Sequence, residues 1–178
     1  MELSVGQKVA YPNQGVCLVE DIEKKKIGGN SMSFYALRVL SDNSTIFVPT
    51  ANVEAVGLRP IITEKQFKNL INNLEKDFED VSSDWKVRSR EFNEKLQSGD
   101  VFEAADVLKK LTFLSNEKKL SFREQSLLEK AKYLIVSEVT NAGLAKESKI
   151  SDKIDKLIEQ ACDKHLDTQP SVMSSTSH

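Results

Sequence analysis

Leu58-Arg59-Pro60-Ile61-Ile62-Thr63-Glu64-Lys65-Gln66-Phe67-Lys68-Asn69-Leu70-Ile71-Asn72-Asn73-Leu74 is where the chain changes its hydrophobic period. Beyond Arg59-Pro60 the apolar residues recur at helical spacing, with Phe67, Leu70, Ile71, Leu74 and Phe78 on one side. Thr63 and Gln66 stand at capping-box spacing, so a helix opens there. Before the junction the pattern is β.

Working back from the junction, short alternating segments are separated by turn residues. Gln7 to Tyr11 is halted by Pro12-Asn13-Gln14-Gly15, and Val16 to Ile22 follows as a strand. Lys24-Lys25-Lys26 leads to Gly28-Gly29-Asn30, a hairpin signal because glycine accepts positive φ. Ser33 to Leu40 and Ser44 to Pro49 are two further strands, joined by the Ser41-Asp42-Asn43 turn. Strands this short and this closely spaced predict a small antiparallel barrel of the SH3 or Tudor kind over residues 1–60.

Working forward, helical signals continue. Ser82-Ser83-Asp84 caps a helix from Trp85 to about Gln97, and Ser98-Gly99-Asp100 stops it and caps the next, from Val101 to about Lys119. Ser121 starts a fourth, with Glu124 at capping-box spacing, and Gly143 ends it. Ser148 or Ser151 opens a fifth over 149–166, where Ile150, Ile154, Leu157, Ile158 and Ala161 form a narrow stripe. From Asp167 the sequence is Ser/Thr-rich without apolar pattern, and a disordered tail over 167–178 is expected. The fold class is therefore α+β: a barrel over 1–60, then a compact all-α domain of about five helices over 61–166.

Composition sets the function classes. Met1-Glu2-Leu3-Ser4 lacks the basic patch and apolar run of a secretory signal, and no stretch is apolar enough to span a bilayer. A cytoplasmic protein without membrane contact is expected. Cys17 and Cys162 have no second Cys or His at ligand spacing, so neither a metal site nor a disulfide framework is expected. The only histidines are His165 and His178, no Gly-rich phosphate loop precedes a helix, and the acidic pairs are sequence neighbours pointing apart. No enzyme and no cofactor are expected. The formal charge of -2 hides an uneven spread: between Lys109 and Lys132 seven Lys/Arg face three Glu. Only charges within roughly 10 Å of a phosphate act at physiological salt, so a local basic face is compatible with an acidic total. A solvated helix face reads the same way.

The lone tryptophan, Trp85, stands at the first position of a helix, directly after the Ser83-Asp84 cap. It either staples two helices together in the core or stays exposed as a wedge for a base step, with Arg88 and Arg90 beside it. Arg88 lies almost one turn on, where it can meet an adjacent phosphate.

Further residues carry a resemblance. Val5-Gly6, Val9, Tyr11-Pro12, Gly15, Val19-Glu20-Asp21-Ile22-Glu23, Val48-Pro49, Asn52 and Val56-Gly57-Leu58-Arg59 resemble the polymerase-interaction module of the CarD/CdnL family of bacterial transcription factors. A related module occurs in the transcription-repair coupling factor. Asp84-Trp85, Arg88, Glu94-Lys95-Leu96, Ser98-Gly99-Asp100-Val101, Leu120-Ser121, Glu124, Leu128, Lys130-Ala131 and Leu134 resemble the family's helical DNA-contacting domain. The likeness runs from residue 1 to about 142, and Trp85 with the Ser-Gly-Asp turn points to the stand-alone factor.

The resemblance implies a Tudor-like barrel that docks on the β subunit of RNA polymerase, with edge-strand pairing. It implies a helical domain at the upstream edge of the transcription bubble, where the tryptophan wedges into the minor groove and slows bubble collapse. By this likeness Trp85, Lys86, Arg88, Arg90, Lys130 and Lys132 are the DNA-binding candidates. Lys25, Phe47 and Pro49 are the candidates for RNA polymerase. Phe47 stands where relatives carry a basic residue, and alternation alone does not say which face it takes. Val87, Leu114 and Gln125 replace basic residues on the DNA side. The implied protein is a monomer that reaches the nucleoid through the polymerase and contacts promoter DNA largely without sequence preference. The competing expectation is a two-domain adaptor whose helices bind another protein. Exposure of Trp85 beside positive charge favours DNA, and its burial favours the adaptor.

Overall fold

In the computed structural model residues 1–168 are described, so the expected tail lies, beyond Thr168, outside the described residues. Strands β1 (Lys8–Tyr11), β2 (Gly15–Ile27), β3 (Asn30–Val39), β4 (Thr45–Pro49) and β5 (Arg59–Pro60) pair antiparallel in the order β4-β3-β2-β1-β5. The small barrel expected from the strand spacing thus takes the form of a five-stranded sheet with β4 and β5 at its two ends. Gly28 and Gly29 both hold positive φ, 59° and 81°, a turn geometry that prolongs the right-handed twist of the flanking strands. The ladder therefore continues to the pair Ile27 and Asn30, and the hairpin extends through the lysine triplet.

Alternation sends Val9, Cys17, Val19, Tyr35, Leu37, Val39 and Val48 to one face, where Leu3, Val53 and Leu58 complete a core. Val53 and Val56 bound a single-turn helix, α1 (Val53–Val56), closed by Gly57 at φ 90°. Its turn and the two-residue β5 had no signal in the sequence pattern.

Five further helices follow: α2 (Glu64–Leu74), α3 (Trp85–Gln97), α4 (Val101–Glu117), α5 (Phe122–Asn141) and α6 (Glu147–Asp167). The expected capping box is present at Thr63 and Gln66. α4 is the hub, buried along most of its length, with α2, α3, α5 and α6 all packed on it. α2 stops at Leu74, short of Phe78; the Asn73 carbonyl in its last turn accepts from the Lys109 ammonium at 2.8 Å, and so does the Lys76 carbonyl just beyond the helix, at 3.3 Å. Phe78 instead stacks on His165 of α6, centroids 4.2 Å apart, with Phe113 edge-on to both. α6 begins at Glu147 and runs to Asp167, longer at both ends than its apolar stripe suggested.

Sheet and helices meet across polar and steric contacts. The Arg59 guanidinium donates two bonds of 2.7 Å to the buried Glu138 carboxylate of α5 and others to the Gly99 carbonyl at 2.6 and 2.9 Å. Ile62 N–H donates to the same carboxylate at 2.8 Å. A Cβ at Gly99 would sit 3.1 Å from Pro12, and one at Gly57 would sit 3.1 Å from it too, so the β1–β2 turn is seated against both glycines. Among the described residues no helix is long and apolar enough to cross a membrane.

Candidate functional site

Trp85 owes its position to two helix starts joined by one ion pair. Asp84 caps α3 by accepting from Lys86 N–H at 2.9 Å, and Ser121 caps α5 by accepting from Glu124 N–H at 3.2 Å. The Glu124 carboxylate does not close the expected capping box. It accepts from Arg88 Nε at 2.8 Å and from the Ser121 hydroxyl at 3.2 Å. The Arg88 Nη1 group donates to the Ser82 and Ser83 carbonyls at 3.3 and 3.1 Å. Arg88 therefore ties the loop before α3 to the start of α5, with its side chain 4% and that of Glu124 13% exposed. The Arg88 hydrogen bond holds the Glu124 carboxyl below its usual range.

Arg88 is thus engaged inside the protein, not exposed at the surface where the expected phosphate contact would place it. Three backbone and carboxylate partners consume its donors, and its burial keeps it from solvent. A guanidinium suits such a place, because its fixed fork of donors satisfies carboxylate and carbonyls together.

Above this buttress Trp85 is 58% exposed, and the core-staple reading does not hold. Asp84 and Ser121 each precede an aromatic at the first helical position, and both aromatics face solvent. Phe122 is 89% exposed, and Val87 adds a third exposed apolar side chain. A cleft of about 460 Å3 lies between Trp85 and Ser89 on α3 and Ser121, Arg123 and Glu124 at the start of α5. Lys86 Nζ stands 5.8 Å from the Trp85 ring centroid.

The other basic candidates divide. Lys86 and Arg90 are exposed and form no ion pair among the described residues. Lys130 is half-buried, bonded to the Asn13 side chain of the β1–β2 turn, and burial lowers its pKa. Lys132 pairs with Asp155 of α6 at 2.7 Å. Lys130 also lies eight residues beyond Phe122, about 12 Å along the helix axis. Lys130 and Lys132 are thus engaged within the protein, away from the cleft. Lys109 and Lys110 are internal as well, the latter paired with Glu91 and Asp106. Of the seven basic residues between 109 and 132, Lys118, Lys119 and Arg123 remain exposed and without an ion pair among the described residues. They sit in the loop before α5 and in its first turn, and Arg123 lines the cleft together with Trp85. The sequence contained a signal for this cluster: an aromatic directly after a cap, repeated at Phe122 next to a lysine pair. Leu114 is in the core, whereas Val87 and Gln125 are at the surface.

The second candidate surface is on the sheet. Tyr35 and Val48 are cross-strand partners facing the core, so Phe47 and Pro49 take the opposite face, with partners Ala36 and Phe34. Phe47 is therefore not core. Lys25 Nζ lies 4.4 Å from the Phe47 centroid and 5.9 Å from that of Phe34, within cation–π range. The three polymerase candidates lie on one face towards the β4 end of the sheet, Phe47 and Pro49 on β4 itself and Lys25 on β2, reaching across β3 to the Phe47 ring.

Among the described residues no group of His, Cys, Asp and Glu is arranged to hold a metal ion. Cys17 and Cys162 are both buried, and burial pushes each thiol up to about 11, so neither is a nucleophile at neutral pH.

Comparison with known proteins divides the chain in two. Residues 3–62 match the family described as "CarD-like/TRCF RID domain" and residues 69–155 match "CarD, C-terminal domain". The chain is 26% identical over 135 residues to YdeB of Bacillus subtilis (strain 168), a candidate transcription factor, covering 76% of this chain and 88% of YdeB. It is 41% identical to the 72-residue N-terminal domain of Myxococcus xanthus CarD, solved by NMR, covering 33% of this chain and 79% of that one at a TM-score of 0.29.

Proposed function

This chain belongs to the CarD family of transcription-associated regulators, and from that premise we propose that it grips RNA polymerase with its sheet and the opened promoter with its helices. Residues 1–60 act as the polymerase-binding domain and 61–166 as the DNA-contacting domain. Lys25, Phe47 and Pro49 meet the β subunit, and the free edge of β4 is available for strand pairing. Trp85 enters the minor groove at the upstream edge of the bubble, while Lys86, Arg90, Lys118, Lys119 and Arg123 face the phosphates. The protein acts as a monomer, and no bond is made or broken. A factor that binds open DNA more tightly than closed by ~1.4 kcal/mol shifts their ratio about tenfold.

The observation that carries this reading is Trp85, more than half exposed above a buried ion pair, beside unpaired positive charge. A large aromatic held in water by a rigid base is suited to partly unstacking a base step.

The test is the lifetime of a heparin-challenged open complex on cognate polymerase. Wild type lengthens it, and Trp85→Ala, still folded and polymerase-bound, loses most of the gain. Wild type that binds polymerase but leaves the lifetime unchanged refutes the DNA half. A second reading then takes its place, in which the helices bind a protein. It is favoured by the withdrawal of Arg88, Lys130 and Lys132 into internal contacts.

A further inference from the structure

His165 is a buried polar group that neither candidate surface uses. Its side chain is 3% exposed, and it lies near the end of α6, beyond residue 155, where the family match ends. The ring is held between two acids. Nδ1 stands 2.6 Å from Asp77 Oδ1, and Nε2 stands 3.0 Å from Asp80 Oδ1. Both acids belong to the loop 75–84 that runs from α2 to α3. A neutral imidazole has one N–H and one bare lone pair. Between two carboxylates that lone pair would point at an anionic oxygen. Both contacts are therefore attractive only when both ring nitrogens carry protons.

The surroundings suit such a cation. Phe78 stacks on the ring with centroids 4.2 Å apart and presents its π face. Burial works against charge on Asp77, but the bonds from His165, Phe78 N–H and the Thr168 hydroxyl hold its carboxyl below the usual range. Other charged groups pack around the ring from three sides. On α4, Lys109 donates to the Asn73 and Lys76 carbonyls and its charge reaches Asp77, while Lys110 and Asp106 pair at 3.0 Å. In the loop, Glu79 lines a cleft with Asp77 on the side of α4. On α6 itself, Lys164 donates to the Glu75 carbonyl at 2.9 Å, and burial pushes the Cys162 thiol up to about 11. Among the described residues His165 is the only histidine, the residue type whose charge ordinarily changes between pH 5 and 8.

The loop is gripped at two places. His165 holds Asp77 and Asp80, and Arg88 holds the Ser82 and Ser83 carbonyls. Asp84, at the end of the loop, caps α3. We propose that His165 is a proton-dependent clasp: doubly protonated, it ties loop 75–84 to α6 through Asp77 and Asp80, and loss of one proton frees the loop at Asp80. The proton leaves Nε2 for solvent past Asp80, whose side chain is 81% exposed, while Nδ1 keeps the shorter bond to Asp77. The clasp is thus closed at low pH and opens as pH rises. When it opens, Arg88 alone steadies the entry to α3. This inference goes beyond the reading above and does not depend on DNA binding.

The experiment uses the full chain carrying His178→Ala, which leaves one imidazole. Nitrogen NMR of the ring and amide hydrogen exchange, corrected for intrinsic rates, are recorded at pH 6 and at pH 9, above the ordinary range of histidine. At pH 6 both ring nitrogens are expected to carry protons. At pH 9 one proton is expected to be gone and protection in loop 75–84 to be at least about tenfold lower, the scale of one charge-assisted hydrogen bond, with α4 unchanged. Asp80→Asn offers a neutral Nε2 an N–H to accept from, so its loop is expected to keep its protection at both pH values. A ring that is neutral at pH 6, or still doubly protonated at pH 9, overturns the proposal. So does a proton lost without loss of protection, or a loss shared by α4. A pH-dependent loss that persists in Asp80→Asn overturns it too.

Discussion

Arg59 and Glu138 close the joint between sheet and helices with two parallel hydrogen bonds of 2.7 Å, the carboxylate side chain being only 5% exposed. Removing one partner of such a pair leaves a charge without compensation in a poorly solvated place. Arg59→Met is expected to cost about 3 kcal/mol, the low end for a buried pair, because water reaches part of Arg59. Urea unfolding followed by circular dichroism measures it, and a loss under about 1 kcal/mol would contradict the role given to the joint.

The Arg88–Glu124 pair is more deeply buried, and Arg88→Ala is expected to cost about 3–5 kcal/mol. Its acid dependence follows from the lowered carboxyl. Arg88 depresses the folded pKa of Glu124, so the pair's stabilisation is present above the unfolded value of 4.5 and is lost as pH falls through the folded one. Wild type should therefore lose stability below about pH 4.5 more steeply than Arg88→Met, in parallel urea titrations from neutral pH downward. Parallel slopes for the two proteins would deny the coupling.

How much of this was legible in sequence depended on range. The caps at Thr63, Asp84 and Ser121 and the switch of period at Arg59-Pro60 are local signals, and they placed the sheet and the starts of α2, α3 and α5. The exits were less clear: the apolar spacing carries α2 to Phe78, but the helix stops at Leu74, where the Asn73 carbonyl accepts from Lys109, 36 positions away in sequence. The same limit applies to the site. Exposure of Trp85 could not be read from its position after a cap, which suits core and surface equally. Arg88 was expected at a phosphate because its partner Glu124 is 36 residues distant, and Lys130 because Asn13 is 117 residues distant. Such pairings leave no periodic trace. Phe122 had a local signal, the aromatic after a cap, that matched Trp85.

Two glycines separate backbone strain from contact. Gly143 holds φ 72° with nothing within 4 Å of an added Cβ, and Gly143→Ala is expected to cost about 1–2 kcal/mol from strain alone. Gly99 holds φ 77° with Pro12 at 3.1 Å, so Gly99→Ala should cost about 1 kcal/mol more, within the range for overpacking. Thermal melts of the two variants give the difference directly, and equal losses would show that Pro12 yields freely.

The sheet patch should separate binding from stability. Lys25→Glu and Phe47→Ser alter side chains exposed on the face away from the core. Each is expected to cost no more than about 1 kcal/mol, the scale of the exposed cation–π contact that it removes. Affinity for RNA polymerase should fall at least about tenfold in each, measured by pull-down titration with purified enzyme. Undiminished affinity in both would move the polymerase surface elsewhere on the chain.

Under the function proposed above, the seating of Pro12 against Gly57 and Gly99, with Arg59 locked to Glu138, would also set how the two surfaces cooperate. A tethered second contact gains an effective concentration that is greatest when the connection matches the span between its targets. A joint without slack makes that match a property of the folded chain itself. Once the sheet is engaged, Trp85 is presented at one distance and one bearing, so a contact too weak to form from free solution becomes intramolecular. On that proposal, reach as much as affinity is what the joint would contribute. A few flexible residues inserted after Pro60 would leave each surface intact and dissolve the avidity between them.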